Sequence, residues 1–71
     1  MKRPMLLKFA KRVREERKKL GLSQEEFADK AGFHRTYIGM IEHAERNITL
    51  SNIEKLARAL RISISGLLKR L

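Results

Sequence analysis

The segment "AGFHRTYIGMIEH" at residues 31–43 concentrates side chains that can contact nucleic-acid bases. Arg35 can donate two parallel hydrogen bonds to guanine O6 and N7, and Thr36 can bond a base edge or touch a thymine methyl group. Tyr37 and Met40 offer apolar contact to the same methyl group. A plain surface helix would carry better helix formers, such as Glu, Lys and Ala. The residue types therefore favour recognition of base edges.

Two short helices joined by a tight turn would have to position these side chains. Apolar spacing predicts one helix over residues 24–31 and another over residues 35–42, with a turn containing Gly32 between them. This is the helix-turn-helix arrangement, in which the second helix enters the major groove of DNA. The sequence therefore predicts a helix-turn-helix over residues 23–42, with the second helix as the recognition helix.

The register of the recognition helix decides which of its side chains face outward. Steps of about 100° per residue, with Ile38 and Ile41 inward, place three residues most outward: Thr36, Met40 and His43. Arg35 lies at the N-terminal end, where a recognition helix meets base edges. Gly39 lies on a flank and costs about 1 kcal/mol relative to Ala. A bare flank that admits another backbone, or a phosphate, would explain that cost.

Three further helices complete the predicted fold, an all-α, compact five-helix domain. The first is expected over residues 4–20, before Gly21, with a buried stripe of Leu6, Phe9, Val13 and Leu20. Ser23 and Glu26 form an S-x-x-E capping box for the second helix. The fourth helix is expected to begin after Thr49 or Ser51, and Ser63 is expected to cap a short fifth helix.

Arg17 interrupts the apolar stripe of the first helix. A charge at that position needs a partner, and Glu42 borders the buried side of the recognition helix. We therefore predict an Arg17–Glu42 ion pair that fixes the orientation of the two helices. The alternative is that Arg17 extends its long stem to water.

Length and composition restrict the class of protein. The 71 residues predict one domain, residues 1–71, without Cys for disulfides or thiolate metal sites. No apolar run is long enough to span a membrane, and no signal-peptide pattern is present. A cytoplasmic, nucleoid-associated location is therefore the expectation.

The net charge of +9 predicts a polyanionic partner. Residues 1–20 hold nine Lys or Arg against two acids, a net of +7, whereas residues 21–71 hold eight against six, a net of +2. The uneven charge also fits a solvated helix face, or a basic helix at residues 5–20 lying on a membrane surface. The membrane alternative is weaker because Leu6, Phe9 and Val13 are needed for the core.

Enzymatic and metal-binding functions find little support in the sequence. There is no Gly-rich phosphate loop, and His34 and His43 are nine residues apart at opposite ends of a helix. We expect no catalytic residue, metal, cofactor or small-molecule ligand. His34 is expected to cap the recognition helix or to touch phosphate.

The stretch "SQEEFADKAGFHRTYIGMIEHAERNITLSNIEKLARAL" resembles the Xre/lambda-repressor helix-turn-helix family. The words "HRTYIGMIE" and "RNITL" are most similar to the small controller proteins of restriction–modification systems. The resemblance implies a homodimer that binds a pseudo-palindromic DNA operator and represses transcription, activates it, or both. It also implies that Arg17 and Glu42 form a helix-bridging ion pair.

The resemblance further implies roles for individual residues. Base-reading positions are Arg35, Thr36, Tyr37 and Met40. Expected phosphate contacts are Gln24, His34, His43, Arg46, Asn47, Thr49 and Asn52. Glu25 and Asp29 match acidic positions that touch RNA polymerase in activating members, although an ordinary solvated face is the alternative.

The fifth helix and the chain end, residues 62–71, are the expected dimer surface, through Ile64, Leu67, Leu68 and Leu71. Four apolar side chains exceed what one face of a small core needs, although all four could instead pack internally. Without a sensing domain in the sequence, protein concentration would be the regulatory input. An antitoxin or adaptor that also binds a partner protein is the alternative function, with Met1–Met5 as the gripping segment.

Overall fold

Five helices make up the part of the chain that the structure, a computed structural model, describes, residues 4–71. In order they are α1 Pro4–Lys19, α2 Gln24–Ala31, α3 Arg35–Glu42, α4 Leu50–Ala59 and α5 Ile64–Leu68. Residues 4–71 contain no strand. The predicted all-α, five-helix fold is confirmed. Within the same range, no helix combines the length and apolar composition that a membrane crossing requires.

Hydroxyl side chains cap the N-termini of α2, α4 and α5, as predicted. Ser23 Oγ accepts from the Glu26 amide at 3.0 Å, and the Ser23 amide donates to Glu26 Oε1 at 2.8 Å. The hydrogen bonds from the Ser23 backbone and side chain hold the pKa of Glu26 below its usual value. Thr49, rather than Ser51, occupies the cap position of α4, and Ser63 caps α5.

Four helices end in the same left-handed turn, which satisfies carbonyls of the last turn. Gly21 and Gly32 adopt it after α1 and α2, with φ of 69° and 78°. After α3 and α4 the turn falls on Ala44 and Arg61, with φ of 56° and 62°. The following amides bond back to Met40 O at 2.9 Å and Ala57 O at 3.1 Å, so both ends are closed like the glycine-ended helices.

The core lies where α2 and α3 meet α1, α4 and α5. Its largest fully buried apolar side chains are Val13, Phe27, Ile38, Ile41, Leu56 and Leu67. The predicted burial of Leu20 is wrong, because this side chain is 43% exposed. Helix α1 ends at Lys19, so Leu20 lies in the turn and leaves the stripe; Ala10, 2% exposed, joins it instead.

The fifth helix is fastened to α1 by one guanidinium group. Arg12 donates to the carbonyls of Gly66 and Leu67 at 3.2 Å each and of Lys69 at 2.8 Å. Leu67 is fully buried within the single chain, so its predicted place in a dimer surface is wrong. It fills the core between α1, α4 and α5 and offers nothing to a partner. Ile64, Leu68 and Leu71 are half-buried.

Candidate nucleic-acid interface

A buried ion pair holds the C-terminal end of α3. Arg17 Nε lies 2.7 Å from Glu42 Oε2, and Arg17 Nη2 lies 3.0 Å from Oε1. The Glu42 side chain is fully buried, whereas that of Arg17 is 11% exposed. The predicted pair is confirmed, and the alternative in which Arg17 reaches into water is wrong.

Further donors complete this buried cluster. Gln24 Nε2 donates to Glu42 Oε1 at 3.1 Å, Arg17 Nη1 donates to the carbonyl of Leu22 at 2.8 Å, and Arg14 donates to the carbonyl of Glu42. No buried side-chain polar atom among residues 4–71 lacks a hydrogen-bond partner. Because α1, α2 and α3 all contribute side chains or carbonyls, the cluster fixes the orientation of α3 relative to α1 and α2.

Gln24, predicted to touch phosphate, thus has a structural bond as well. Its amide carries two N–H donors and one acceptor, so the bond to Glu42 uses one of these groups. The residue is half-buried at the first position of α2. An additional contact to a phosphate is compatible with this position.

The head of α3 presents its side chains to solvent. His34 is the N-cap, and its Nδ1 accepts from the Thr36 amide at 3.1 Å, so the predicted capping role is confirmed. That acceptor is available only on an imidazole whose Nδ1 carries no proton. Arg35 and Thr36 follow in the first turn, both exposed. The cap therefore orders the turn that carries two predicted base-reading residues.

Tyr37 lies on the flank of α3 that faces α4. Its ring contacts Phe33 with centroids 4.8 Å apart, and its hydroxyl accepts from Asn52 Nδ2 at 2.9 Å. Arg46 lies over the same ring, 6.0 Å from the centroid. The hydroxyl keeps its own proton for donation. Tyr37 is therefore held in one orientation at the junction of α3, α4 and their connecting loop.

The loop between α3 and α4 folds along the outer side of α3. Arg46 Nη1 lies 3.9 Å from Met40 Sδ, and Thr49 Oγ1 accepts from the Asn52 amide at 3.2 Å. The predicted phosphate contacts in and beside this loop are mostly exposed: His43, Arg46, Asn47 and Thr49 are exposed, and Asn52 is half-buried. The structure thus brings Arg46 and Asn52 to the same side as Met40 and Tyr37.

Gly39 lies on an open flank of α3. A methyl group placed on its Cα would meet no heavy atom within 4 Å. The packing of the chain itself therefore gives no reason for a glycine here.

Glu25 and Asp29 share a cleft with the head of α3, which sequence reasoning missed. The cleft has a volume of about 420 Å³, lies between α2 and α3, and is also lined by His34, Arg35 and Thr36. Both acids are exposed. Helix positions alone gave no signal of this neighbourhood, since it depends on the angle between α2 and α3.

The remaining predictions concern other parts of the molecule. Among residues 4–71, no group of His, Asp and Glu has an arrangement that could hold a metal ion. The expected gripping segment Met1–Met5 lies partly outside the described residues, as do the basic residues Lys2 and Arg3.

Comparison with known proteins identifies relatives of this chain. The helix-turn-helix family model HTH_3 matches residues 13–67. The control protein C.SmaI of Serratia marcescens is 51% identical over 62 residues, which cover 87% of this chain and 74% of C.SmaI.

Solved structures agree with the sequence comparison. The restriction–modification controller protein C.AhdI of Aeromonas hydrophila superposes with a TM-score of 0.85 at 48% identity, over 87% of this chain and 94% of C.AhdI. The biofilm regulator SinR, solved in complex with DNA, superposes with a TM-score of 0.81 at 32% identity, over 86% of this chain and 98% of SinR.

Proposed function

Because this chain belongs to the helix-turn-helix family of DNA-binding regulators, which are not enzymes, we propose that it reads a specific DNA operator as a restriction–modification controller. The observation that carries the proposal is the outer side of α3. There Arg35, Thr36 and Met40 lie on one helix whose angle the buried Arg17–Glu42 pair fixes. Base recognition needs side chains held in this way on a rigid helix.

Four side chains of α3, two exposed and two half-buried, have roles in this proposal. Arg35 donates to guanine O6 and N7, and Thr36 and Met40 contact base edges or thymine methyl groups. Tyr37, fixed by Phe33 and Asn52, meets the wall of the groove through its ring edge and hydroxyl. Base discrimination therefore comes mainly from Arg35, with the other side chains refining it.

Phosphate contacts would come from both ends of the helix-turn-helix. Gln24 stands at the start of α2, and four residues form the other clamp: His43, Arg46, Asn47 and Thr49. His34 and Asn52 are the remaining proposed phosphate contacts. Each also makes the internal hydrogen bond already described, His34 to the Thr36 amide and Asn52 to the Tyr37 hydroxyl. Such contacts set the register on the duplex and carry little sequence information.

We further propose that the functional species is a homodimer joined through α5. Ile64, Leu68 and Leu71 are half-buried in the single chain, so each keeps apolar surface for a partner. A two-fold axis would place two recognition helices one DNA turn apart, about 34 Å, and make the operator pseudo-palindromic. Protein concentration would then set operator occupancy. Sedimentation showing only monomer at high concentration would remove this part of the proposal.

The regulatory outcome would depend on where operators lie relative to a promoter. Glu25 and Asp29 are exposed and are the proposed contact with RNA polymerase when the protein activates. Repression needs no such contact, because an occupied operator blocks polymerase by itself.

Selection of bound duplexes from a random DNA pool tests the proposal. We expect enrichment of a palindrome whose half-sites lie one helical turn apart, with affinity that falls steeply as salt rises. Enrichment of a single half-site would support DNA reading without the dimer. Absence of any enrichment would contradict the proposed function.

A further inference from the structure

A second surface, formed by the end of α2 and the second half of α4, combines apolar and basic side chains. Two neighbouring clefts of about 320 and 270 Å³ share the lining residues Lys30 and Ala59, and we treat them together as one groove. It lies between the end of α2, the second half of α4 and the turn after α1. We call it the basic groove, since four cations line it: Lys30, Lys55, Arg58 and Arg61.

The basic groove has apolar surface that the chain leaves open. Leu20 is 43% exposed, and Leu22 and Ala59 are half-buried beside it. Leu20 is the residue that leaves the α1 stripe, so its exposure follows from the end of α1 at Lys19. Apolar surface within a basic rim is typical of a binding site for a partner.

The positive charge of the groove is not neutralised from within. The lining residues include no Asp or Glu. Arg58 reaches Glu54 only at 3.8 Å, with side chains 80% and 57% exposed, and such a pair contributes little. Lys55 lies 5.6 Å from the centroid of the Phe33 ring, which leaves its charge in place. An acidic ligand would meet four available cations.

The turn that ends α4 places the fourth cation at one end of the groove. Arg61 adopts a left-handed φ of 62° at a helix end where glycine is the favoured residue. The same turn is occupied by Gly21 and Gly32 after α1 and α2. Ala44 adopts the same conformation after α3, and in both places the hydrogen bonds of the turn stabilise it. Arg61 thereby lines the end of the groove beside Leu20 and Leu22.

Helix dipoles account for only part of this arrangement. Lys30 and Arg58 lie in the last turns of α2 and α4, where cations are favourable. Lys55 lies in the middle of α4, and the dipole gives no reason for the exposed Leu20. The combination of charge and apolar floor therefore needs another explanation.

Lys30 and Arg58 are separated from the proposed DNA surface along α2 and α4, whereas Lys55 lies nearer to it, over the Phe33 ring that packs on Tyr37. Gln24 and Lys30 lie at opposite ends of α2, about 9 Å apart along its axis. Asn52 and Arg58 are separated by a similar distance, about 9 Å, along α4. The end of the groove that holds Leu20, Lys30 and Arg61 therefore lies away from a duplex on α3.

We propose that the basic groove docks an acidic segment of a partner protein. An apolar side chain of that segment rests on Leu20 and Leu22, and flanking carboxylates pair with the four cations. Nucleic acid fits the groove less well, because its bases stack on aromatic side chains and none of the described residues that line the two clefts is aromatic. The nearest ring, that of Phe33, is covered by Lys55 and packs on Tyr37. The protein would thereby connect a bound operator to a second macromolecule.

The test uses the full chain and a labelled peptide of repeated Glu-Glu-Leu triplets, titrated at physiological salt. We expect saturable binding that the double variant Lys30→Glu, Lys55→Glu weakens about tenfold or more. The matched control is Lys8→Glu, Lys11→Glu, which makes the same charge change on the exposed face of α1. This control should retain affinity within about twofold, because loss of net charge alone acts weakly across this distance in salt.

A second variant separates charge from apolar contact. Leu20→Ser keeps all four cations and should weaken peptide binding about fivefold, with circular dichroism unchanged because Leu20 is outside the core. Operator binding should be unaffected by Leu20→Ser and should fall no further in the groove charge variant than in the α1 control, which keeps this inference distinct from the proposed function.

Three results would overturn the inference. One is the absence of saturable peptide binding. Another is equal loss in the groove variant and the α1 control. The third is oligothymidylate competing as well as the peptide, which would make the groove a nucleic-acid site.

Discussion

The two sides of α3 use the same kinds of side chain under opposite conditions. At its buried end, Glu42 is fully enclosed and accepts hydrogen bonds from Arg17 and Gln24. On its outer side, Arg46 lies over the Tyr37 ring at 6.0 Å and is exposed. Arg17 thus belongs to a buried hydrogen-bond network at one end of α3, whereas Arg46 is exposed to water on its outer side.

This difference separates a structural role from a binding role. In the buried cluster each charge is matched inside the chain, so removing one partner leaves the other uncompensated. On the outer side water already solvates the polar groups, and a phosphate or base edge can replace that water. Substitutions at the buried end should therefore change folding, and those on the outer side should change DNA affinity.

The largest expected effect comes from the buried end. Glu42→Ala leaves Arg17 without its carboxylate and should destabilise the domain by about 3–5 kcal/mol. For a domain of this size that is a large part of the total stability. Urea denaturation followed by circular dichroism measures it. Glu45→Ala, three residues on and exposed, is the control and should stay within about 0.5 kcal/mol.

If Glu42→Ala were as stable as the Glu45→Ala control, the buried network would not be what holds α3. The buried end of α3 would then have no larger structural role than its outer side.

The second effect belongs to the outer side. Arg35→Ala should cost about 1–3 kcal/mol on the selected operator and relax base preference at one position in each half-site. Stability should change by less than about 0.5 kcal/mol because Arg35 is exposed. Fluorescence anisotropy with operator and random duplexes measures the affinities. Equal losses on both duplexes would remove Arg35 from base reading and make it a phosphate contact.

The ion pair at the buried end of α3 was predictable from the sequence, because a charge within an apolar stripe must find a partner. The interruption of the α1 stripe at Arg17 pointed to Glu42, and the pair is present. On the outer side of α3, the sequence predicted which side chains face outward and what they can bind, but not their contacts with other elements. The Tyr37–Asn52 bond joins residues 15 apart on different helices, so local periodicity carries no signal of it.

Helix ends show the same limit. The ends after α1 and α2 were predicted because Gly21 and Gly32 mark left-handed turns. Ala44 and Arg61 adopt that turn without glycine, since the bonds of the turn outweigh the cost of the backbone region there. Predicting the burial of Leu67 inside the monomer failed for a related reason. An apolar face on a short helix does not reveal which neighbour covers it.

The third effect tests how firmly the outer side is ordered. Tyr37→Phe removes the acceptor of the Asn52 amide and keeps the ring on Phe33, so stability should fall by about 0.5–1.5 kcal/mol. Asn52→Ala should cost a similar amount, and the double variant should cost less than the sum. Urea denaturation of all four proteins gives the coupling. Simple additivity would mean that the bond contributes nothing, and that Tyr37 is not oriented through Asn52.

The smallest expected effect comes from adding one methyl group to the open flank of α3. Gly39→Ala adds a methyl group that meets no heavy atom of the chain within 4 Å. Since alanine is the better helix former, the domain should gain about 0.5–1 kcal/mol of stability. If duplex DNA approaches that flank, the same methyl group should weaken operator affinity even as the fold becomes more stable.

Higher stability together with weaker operator affinity would show that Gly39 serves DNA binding, because a purely structural role does not predict this combination. Thermal denaturation and operator titration of the same preparation provide the two measurements, with Ala57→Gly in the buried part of α4 as a control that should destabilise the domain. If Gly39→Ala raised stability and left operator affinity unchanged, the duplex would not approach this flank. The base-reading surface would then be confined to the head of α3 and to Met40.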